Sequence, residues 1–583
     1  MALDFRGNGG VAAATGAEPM MRNSTECLGR AMPRSIARRV AGITGARVAG
    51  ITGAALVALG GCTVGANFTP PQPPAIANWH DASLRVPASR ATVTEASDPD
   101  PLWWNKFDDP TLTTLMQQAI AGNLSLQQAV VRVTESIQSE VAARAAGLPT
   151  IGGTGSYMRE QLGLKGLLKS QGVYGELNSL ANANSPLNKI SPGLGTEAGG
   201  AIGGALNGLT QPANLYQYGL NASWELDLFG KVRRSVEQAK AQTQAQVEAT
   251  NDALVMLESQ VAQAYVALRG AQALAASQRG NVADARDALN LTQERQRHGL
   301  TSSLDVEQAR TQLSNDEHLL PGFEQRAQQA MNLLAVLTGQ PPGALDAMLA
   351  TPAPLPIVPA VVGGGVPSTL ARRRPDIREA EAQLHAATAN VGVAVASFYP
   401  DISLTGDVGL RALDASYLTN WASAFYAFGP SISLPIFQGG RLTANLRLAR
   451  AQTVEAALNY RNTVLNALRE VEDALVAYRT DRAARDELAQ TVDSAQRTLA
   501  LARDRYVHGV ADFIQVLNAE STLTEARQSL VQADMTLTND VVALYTALGG
   551  GWQASAGDIP KPQIASNPPV LPAVADSLAA SPP

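Results

Sequence analysis

The stretch from 231 to 298 restricts this chain more than any other. It reads as one helix of some 68 residues, roughly 100 Å at 1.5 Å per residue. Helices of globular domains rarely run so far. Leu254, Leu257, Val261, Ala264, Leu268, Ala271 and Ala275 recur at spacings of 3 and 4, the seam of a coiled coil. Alanine fills much of the remainder and allows close helix packing. After His298 and Gly299 the chain turns and returns as a helix over about 302–338, roughly 55 Å. A Pro/Gly-rich segment, 339–372, interrupts the return, and a helix over 375–398 climbs about 36 Å further. One long descending helix is therefore matched by two shorter ascending ones.

The same text is written twice. With an offset of 210, AKAQ at 239–242 matches ARAQ at 449–452, and RHGL at 297–300 matches VHGV at 507–510. LDVEQA at 304–309 matches IQVLNA at 514–519. With an offset of 251, LSLQQA at 124–129 matches PDIREA at 375–380, and LPTI at 148–151 matches YPDI at 399–402. The offsets differ by 41 residues, which fall within 160–214. That region is rich in Gly, Asn, Ser and Leu and reads as a long loop without elements of its own. Each copy reads helix, strand, loop, strand, long helix, turn, helix. The first copy opens with a helix over 110–147, and the second closes with one over 512–548, so the halves complete a ring.

Strands are expected at 150–158, 215–228, 401–411 and 425–436. In the second, Tyr216, Tyr218, Leu220, Ala222, Trp224, Leu226 and Leu228 alternate with Gln217, Gly219, Asn221, Ser223, Glu225 and Asp227. Four strands cannot close a transmembrane barrel, and an open sheet edge is not tolerated in lipid. The alternatives are a sheet packed inside a soluble domain or one barrel shared among several chains. The long helices are committed to a tube, which favours the shared barrel. The expected fold class is thus an α+β membrane protein with a helical tunnel and four strands per chain.

The N-terminus reads as a targeting segment. Arg34, Arg38 and Arg39 precede an Ala/Gly-rich apolar run in which RVAGITGA occurs twice, ending Leu59-Gly60-Gly61-Cys62. This resembles a lipoprotein cleavage box, with Cys62 as the lipid-attachment residue. Residues 1–31 are long for the charged region, which makes Met32 a candidate start. The only other cysteine, Cys27, lies in the removed segment, so the processed chain carries no free thiol, as suits an oxidising periplasm. After the N-terminal region no apolar run of 18 residues occurs. A net charge of −6 with scattered Lys and Arg gives no nucleic-acid footprint. Five histidines, no nucleophile motif and no phosphate loop leave little support for an enzyme or a resident cofactor.

Three motifs carry a family resemblance: Cys62-Thr-Val-Gly-Ala-Asn-Phe-Thr-Pro, Trp103-Trp104-Asn-Lys-Phe-Asp-Asp-Pro-Thr-Leu, and ALGGGW at 547–552. Over about 64–552 the chain resembles the outer-membrane efflux proteins of the TolC type, in the lipoprotein branch with OprM and NodT. Ala66 departs from the family's usual proline. The resemblance implies a homotrimer with a twelve-stranded barrel and a helical tunnel. It also implies docking to a periplasmic adaptor and an inner-membrane pump of an RND-type system, with no catalysis. In lipoproteins, Thr63 rather than Asp after the cysteine implies sorting to the outer membrane. Drug efflux, metal efflux and protein secretion remain open as cargo, and a coiled-coil lipoprotein spacer is the non-channel alternative. The expected division is 1–61 signal, 62–110 lipidated linker and equatorial segment, 111–338 first repeat, 339–372 equatorial segment, 373–549 second repeat, and 550–583 equatorial segment and Pro/Ala tail.

The turns at His298-Gly299 and His508-Gly509 fall at the tips of the tube, where glycine suits a tight turn. The resemblance adds adaptor docking and gating there. It places the constriction ring at Gln515 and Asn518, where the family carries Asp, with Asp512 one turn earlier as a partial substitute. A ring of amides holds cations more weakly than a ring of carboxylates. It also pairs Asp305 with Tyr506 as a latch between neighbouring helices. The histidines lack the partners of a metal site. Trp103 and Trp104 are expected to pack in the equatorial region.

Overall fold

The computed structural model describes residues 63–72, 79, 93–94, 100–161, 163–359, 362–363 and 367–560. The signal segment, Cys62 and the tail from 561 lie outside the described residues. The helices are α1 (Pro110–Gly122), α2 (Leu124–Ala145), α3 (Lys231–Arg297), α4 (Ser303–Leu337), α5 (Pro375–Ala396), α6 (Arg441–Val507) and α7 (Phe513–Ala547). The strands are β1 (Thr150–Glu160), β2 (Ala213–Leu226), β3 (Asp401–Ala412) and β4 (Ala424–Ser433). The duplication is kept to the residue: α3 and α6 both have 67 residues, α4 and α7 both 35, and α2 and α5 both 22.

Two expectations are corrected. The helix expected over 110–147 is two, because Asn123 caps a new start: its side chain accepts from Leu126 N at 2.9 Å and donates to Leu337 O at 2.9 Å. The segment 160–214 is not a plain loop. It holds four helices, Leu164–Ser170, Val173–Ala181, Pro186–Ile190 and Leu194–Thr210. Glycine is costly in a helix interior, so its abundance there reads as loop. Gly195 and Gly199 instead serve close packing on Leu180 and Ala181.

Near the strands the helices lie side by side in the order α2–α3–α5–α6; towards the tips the order is α4–α3–α7–α6. The seven seam residues of α3, Leu254 to Ala275, are all buried. Between the two zones sits the main core, where Trp103, Trp104 and Phe107 meet Leu112, Met116, Tyr265, Leu334 and Tyr545. Trp103 stacks on Tyr545 with ring centroids 5.4 Å apart. Asp109 joins the cap of α1 to this core, accepting from Thr111 N, Leu112 N and, at 2.7 Å, from the Tyr265 hydroxyl. Helices at the margins carry apolar side chains with no cover in one chain, among them Val141 on α2, Leu458 on α6 and Val336 on α4.

The sheet is antiparallel, in the order β1-β2-β3-β4. Its register gathers the apolar side chains on one face, which only the pair Arg159 and Asn214 at its outer end interrupts. Ile151 and Tyr157 lie beside Ala222 and Tyr216; Leu220, Trp224 and Leu226 lie beside Val408, Leu404 and Ile402; and these continue to Tyr426, Pro430 and Ile432. The opposite face carries Thr154, Asn221, Ser223, Glu225, Ser403, Thr405, Asp407 and Ser431. Among the described residues nothing covers the apolar face: Tyr426 is 76% and Phe428 80% exposed. Among the described residues, no helix is long and apolar enough to cross a membrane.

Candidate functional site at the hairpin tips

Both tip turns end their helices in the same way. Gly299 has φ +71° and Gly509 +74°. Leu300 N donates to Arg295 O at 2.9 Å and Gly299 N to Gln296 O at 2.9 Å; Val510 N donates to Arg505 O at 2.9 Å and Gly509 N to Tyr506 O at 3.0 Å. This is the paired Schellman closure, which needs a left-handed residue just past the helix. A Cβ at either glycine meets no atom within 4 Å, so only backbone conformation opposes a side chain there. Gly299→Ala or Gly509→Ala is therefore expected to weaken its turn by about 1 kcal/mol. The check is limited proteolysis at the tip, which should quicken roughly fivefold, with Asn in the same position largely sparing it.

His298 and His508 cap α3 and α6. His298 Nε2 lies 3.1 Å from Glu294 Oε1, and His508 Nδ1 lies 2.8 Å from Asp504 O. Each is exposed and bound to its own helix. Among the described residues, no three His, Cys, Asp or Glu side chains converge as a metal site.

Asp305 and Tyr506 are near each other but not directly joined. Asp305 is the third residue of α4 and forms a capping box with Ser302. Thr301 Oγ1 donates to Asp305 Oδ2 and lies 3.4 Å from the Tyr506 hydroxyl, so Thr301 stands between the expected partners. Tyr506 is buried, tilted against Phe513 at 5.3 Å, and lies under the Arg295 guanidinium, 4.8 Å from its ring centre. Arg295 Nη1 also donates to Val507 O at 2.9 Å. Arg295 and Thr301 thus tie the first tip to the second. Sequence reading missed both; the one available signal was a hydroxyl residue immediately before the Ser302 cap.

Asp512 is the N-cap residue of α7, without a side-chain cap bond. Gln515 and Asn518 follow on the exposed face, which continues through Thr522, Glu525 and Ser529 at spacings of three and four. The opposite face of α7 is apolar and buried: Phe513, Val516, Leu523 and Ala526 pack with Leu499 and Ala309. The helix therefore presents a wholly polar stripe, uncharged at Gln515 and Asn518, beside a rigid tip. Such a stripe suits the wall of an aqueous passage.

A family model described as outer membrane efflux protein matches residues 115–340 and 366–550. The probable efflux pump outer membrane protein TtgC of Pseudomonas putida is 31% identical over 86% of this chain and 94% of its own. Nodulation protein T of Rhizobium leguminosarum is 29% identical over 85% of this chain and 96% of its own. The solved outer-membrane channel OprN superposes with a TM-score of 0.71 at 29% identity, covering 84% of this chain and all of that one.

Proposed function

The chain belongs to the outer membrane efflux protein family, with the fold of TolC-type outer-membrane channels, and from that membership we propose a passive homotrimeric duct. In this reading it carries small toxic organic compounds out of the periplasm, delivered by an RND-type inner-membrane pump through a periplasmic adaptor. The observation that carries the proposal is the sheet, apolar on one face and polar on the other up to its outer end, where Arg159 and Asn214 enter the first face and Met158, Leu215 and Phe425 the second, with β1 and β4 as open edges. Lipid solvates the first face, water the second, and neither solvates an open edge within the bilayer. Three copies give twelve strands and remove every edge by pairing β1 with the neighbour's β4. The same operation covers the apolar margins of α2, α4 and α6.

The N-terminal arm supports an anchor at Cys62. Thr63 sits against Gly230, and Val64 N donates to Phe229 O at 3.2 Å, where β2 gives way to α3. Arg234 clasps the arm, donating to Val64 O, Gly65 O and, at 2.7 Å, Asn67 Oδ1. Phe68 stacks on His385 at 4.4 Å. A lipid on residue 62 then starts at the boundary between the lipid-facing strand and the periplasmic helix. The cargo assignment leans on the name of TtgC as an efflux pump component.

Single-channel recording tests the passage. The amides at Gln515 and Asn518 are expected to give weak cation preference, and Asn518→Asp to raise it several-fold by adding a ring of three carboxylates. A wild-type conductance that is strongly cationic, and loses that preference on Asn518→Ala, counts against this constriction. A detergent-extracted Cys62→Ala protein that is monomeric, and released by alkaline wash, counts against the duct itself.

A further inference from the structure

The insert between β1 and β2 leaves the end of the sheet farthest from the helices and has no core of its own. Among its described residues not one aliphatic or aromatic side chain is buried; Leu167 is 58% and Ile190 78% exposed. Its longest helix, Leu194–Thr210, has two glycine edges. The first is filled within the chain: a Cβ at Gly195 would lie 2.5 Å from Leu180 O, and one at Gly199 would lie 3.1 Å from Ala181 Cβ. The second, Gly200, Gly204 and Gly208, meets nothing within 4 Å and is flanked by exposed Leu194, Ala201 and Ala205. Glu197 stands on this edge in the first turn; beyond it the face is small and apolar, and at the water side of a protein such a face needs cover.

We propose that the cover is the same helix of the neighbouring copies, so that three inserts meet on the three-fold axis and cap the outer mouth of the barrel. This rests on the trimeric-barrel reading. Two observations favour a second copy as the occupant. The insert starts within four residues of Glu160, the last paired residue of β1, and β1 is the edge against which the neighbour's β4 is seated. The interface between copies therefore runs directly into the insert. Reach is also sufficient: twelve strands about 4.8 Å apart, tilted by about 40°, enclose a radius of roughly 12 Å. The 17-residue helix spans about 25 Å, so it extends to the axis. With the glycine edge turned inward, backbones approach as closely as they already do along the first edge. The cap narrows the mouth and brings to it the Glu197 carboxylate of each copy.

Cysteine cross-linking tests the cap. In a Cys27→Ser, Cys62→Ser background, Gly204→Cys is expected to give a disulfide-linked dimer on mild oxidation, in protein that is trimeric by mass. Replacing 164–210 by a short turn is expected to raise single-channel conductance at least twofold. A trimer in which Gly200→Cys, Gly204→Cys and Gly208→Cys all fail to cross-link, and whose conductance ignores the deletion, overturns the cap and leaves the barrel standing. The same holds if the introduced thiol is shielded from a soluble maleimide only when lipopolysaccharide is added, since the occupant is then lipid. A monomer by mass overturns the barrel and the cap with it.

Discussion

Val408→Arg is expected to abolish the assembled channel, whereas Thr405→Arg leaves it intact. Val408 lies near the middle of β3, paired with Leu220 on one side and Tyr426 on the other, all on the uncovered apolar face. An arginine facing lipid at the bilayer midplane costs about 2–4 kcal/mol in a membrane barrel. Three copies make that roughly 6–12 kcal/mol per trimer, as large as the whole stability of an ordinary domain. Thr405 is three residues away but on the polar face, paired with Ser223 and Gly429. An arginine there enters water. The measurement is the heat-modifiable trimer band, together with resistance to alkaline wash. Loss in the Thr405 variant and survival in the Val408 variant would reverse the two faces and place the lumen on the aromatic side. Survival of both would remove the membrane from the sheet altogether.

Much of this architecture is legible because it is periodic. The seam from Leu254 to Ala275 is a repeating pattern whose period names the partner surface, and all seven residues are buried. Alternation from Tyr216 to Leu226 likewise assigns each side chain to a face, since a strand permits only two. Chain duplication then carries both readings into the second half. What escaped has no period. Asn123 looks like any polar helix residue until its amide finds Leu337 O, 214 positions away. The insert's helices are built on glycine, whose local preference opposes them, so only tertiary contact at Gly195 and Gly199 reveals their purpose. At the tips, the turn glycines follow from local geometry alone, but the link through Thr301 depends on how the turn before α4 meets the end of α6. Family resemblance named Asp305 and Tyr506; it did not supply the hydroxyl between them.

Arg374 is the clearest case of a residue invisible in sequence and decisive in space, and its loss is the second large effect expected. It precedes α5 in the run Arg372-Arg373-Arg374-Pro375, which reads as surface charge. It is instead buried where three helices meet. Its Nη1 donates to Ala547 O at 2.9 Å, at the end of α7; Nε and Nη2 grip Asp376 at 3.0 and 2.8 Å; and Nη2 reaches Glu470 on α6 at 2.8 Å. The left-handed turn at Gly549, φ +68°, makes room for it, since a Cβ there would lie 2.8 Å from Arg374 Cγ. Arg374→Met takes the shared donor from two partly exposed carboxylates and a buried carbonyl, and is expected to cost about 2–3 kcal/mol at pH 8.

The loss should shrink in acid, for a reason that fixes its sign. Burial, then the charge of Asp376, pushes Asp252 up to about 6; Arg374 opposes this and Glu470 adds to it. Between about pH 4 and 6 the folded chain therefore holds a proton at Asp252 that the unfolded chain has released, so stability falls as pH rises through that window. Without Arg374 the opposing cation is gone, Asp252 moves higher still, and the fall extends past pH 6. Chemical denaturation at pH 5 and pH 8 should show the smaller deficit at pH 5, and Asp252→Asn should recover part of the pH 8 deficit. An equal deficit at both pH values, with no recovery from Asp252→Asn, would separate Asp252 from the Arg374 junction and leave the arginine acting through Asp376, Glu470 and Ala547 alone.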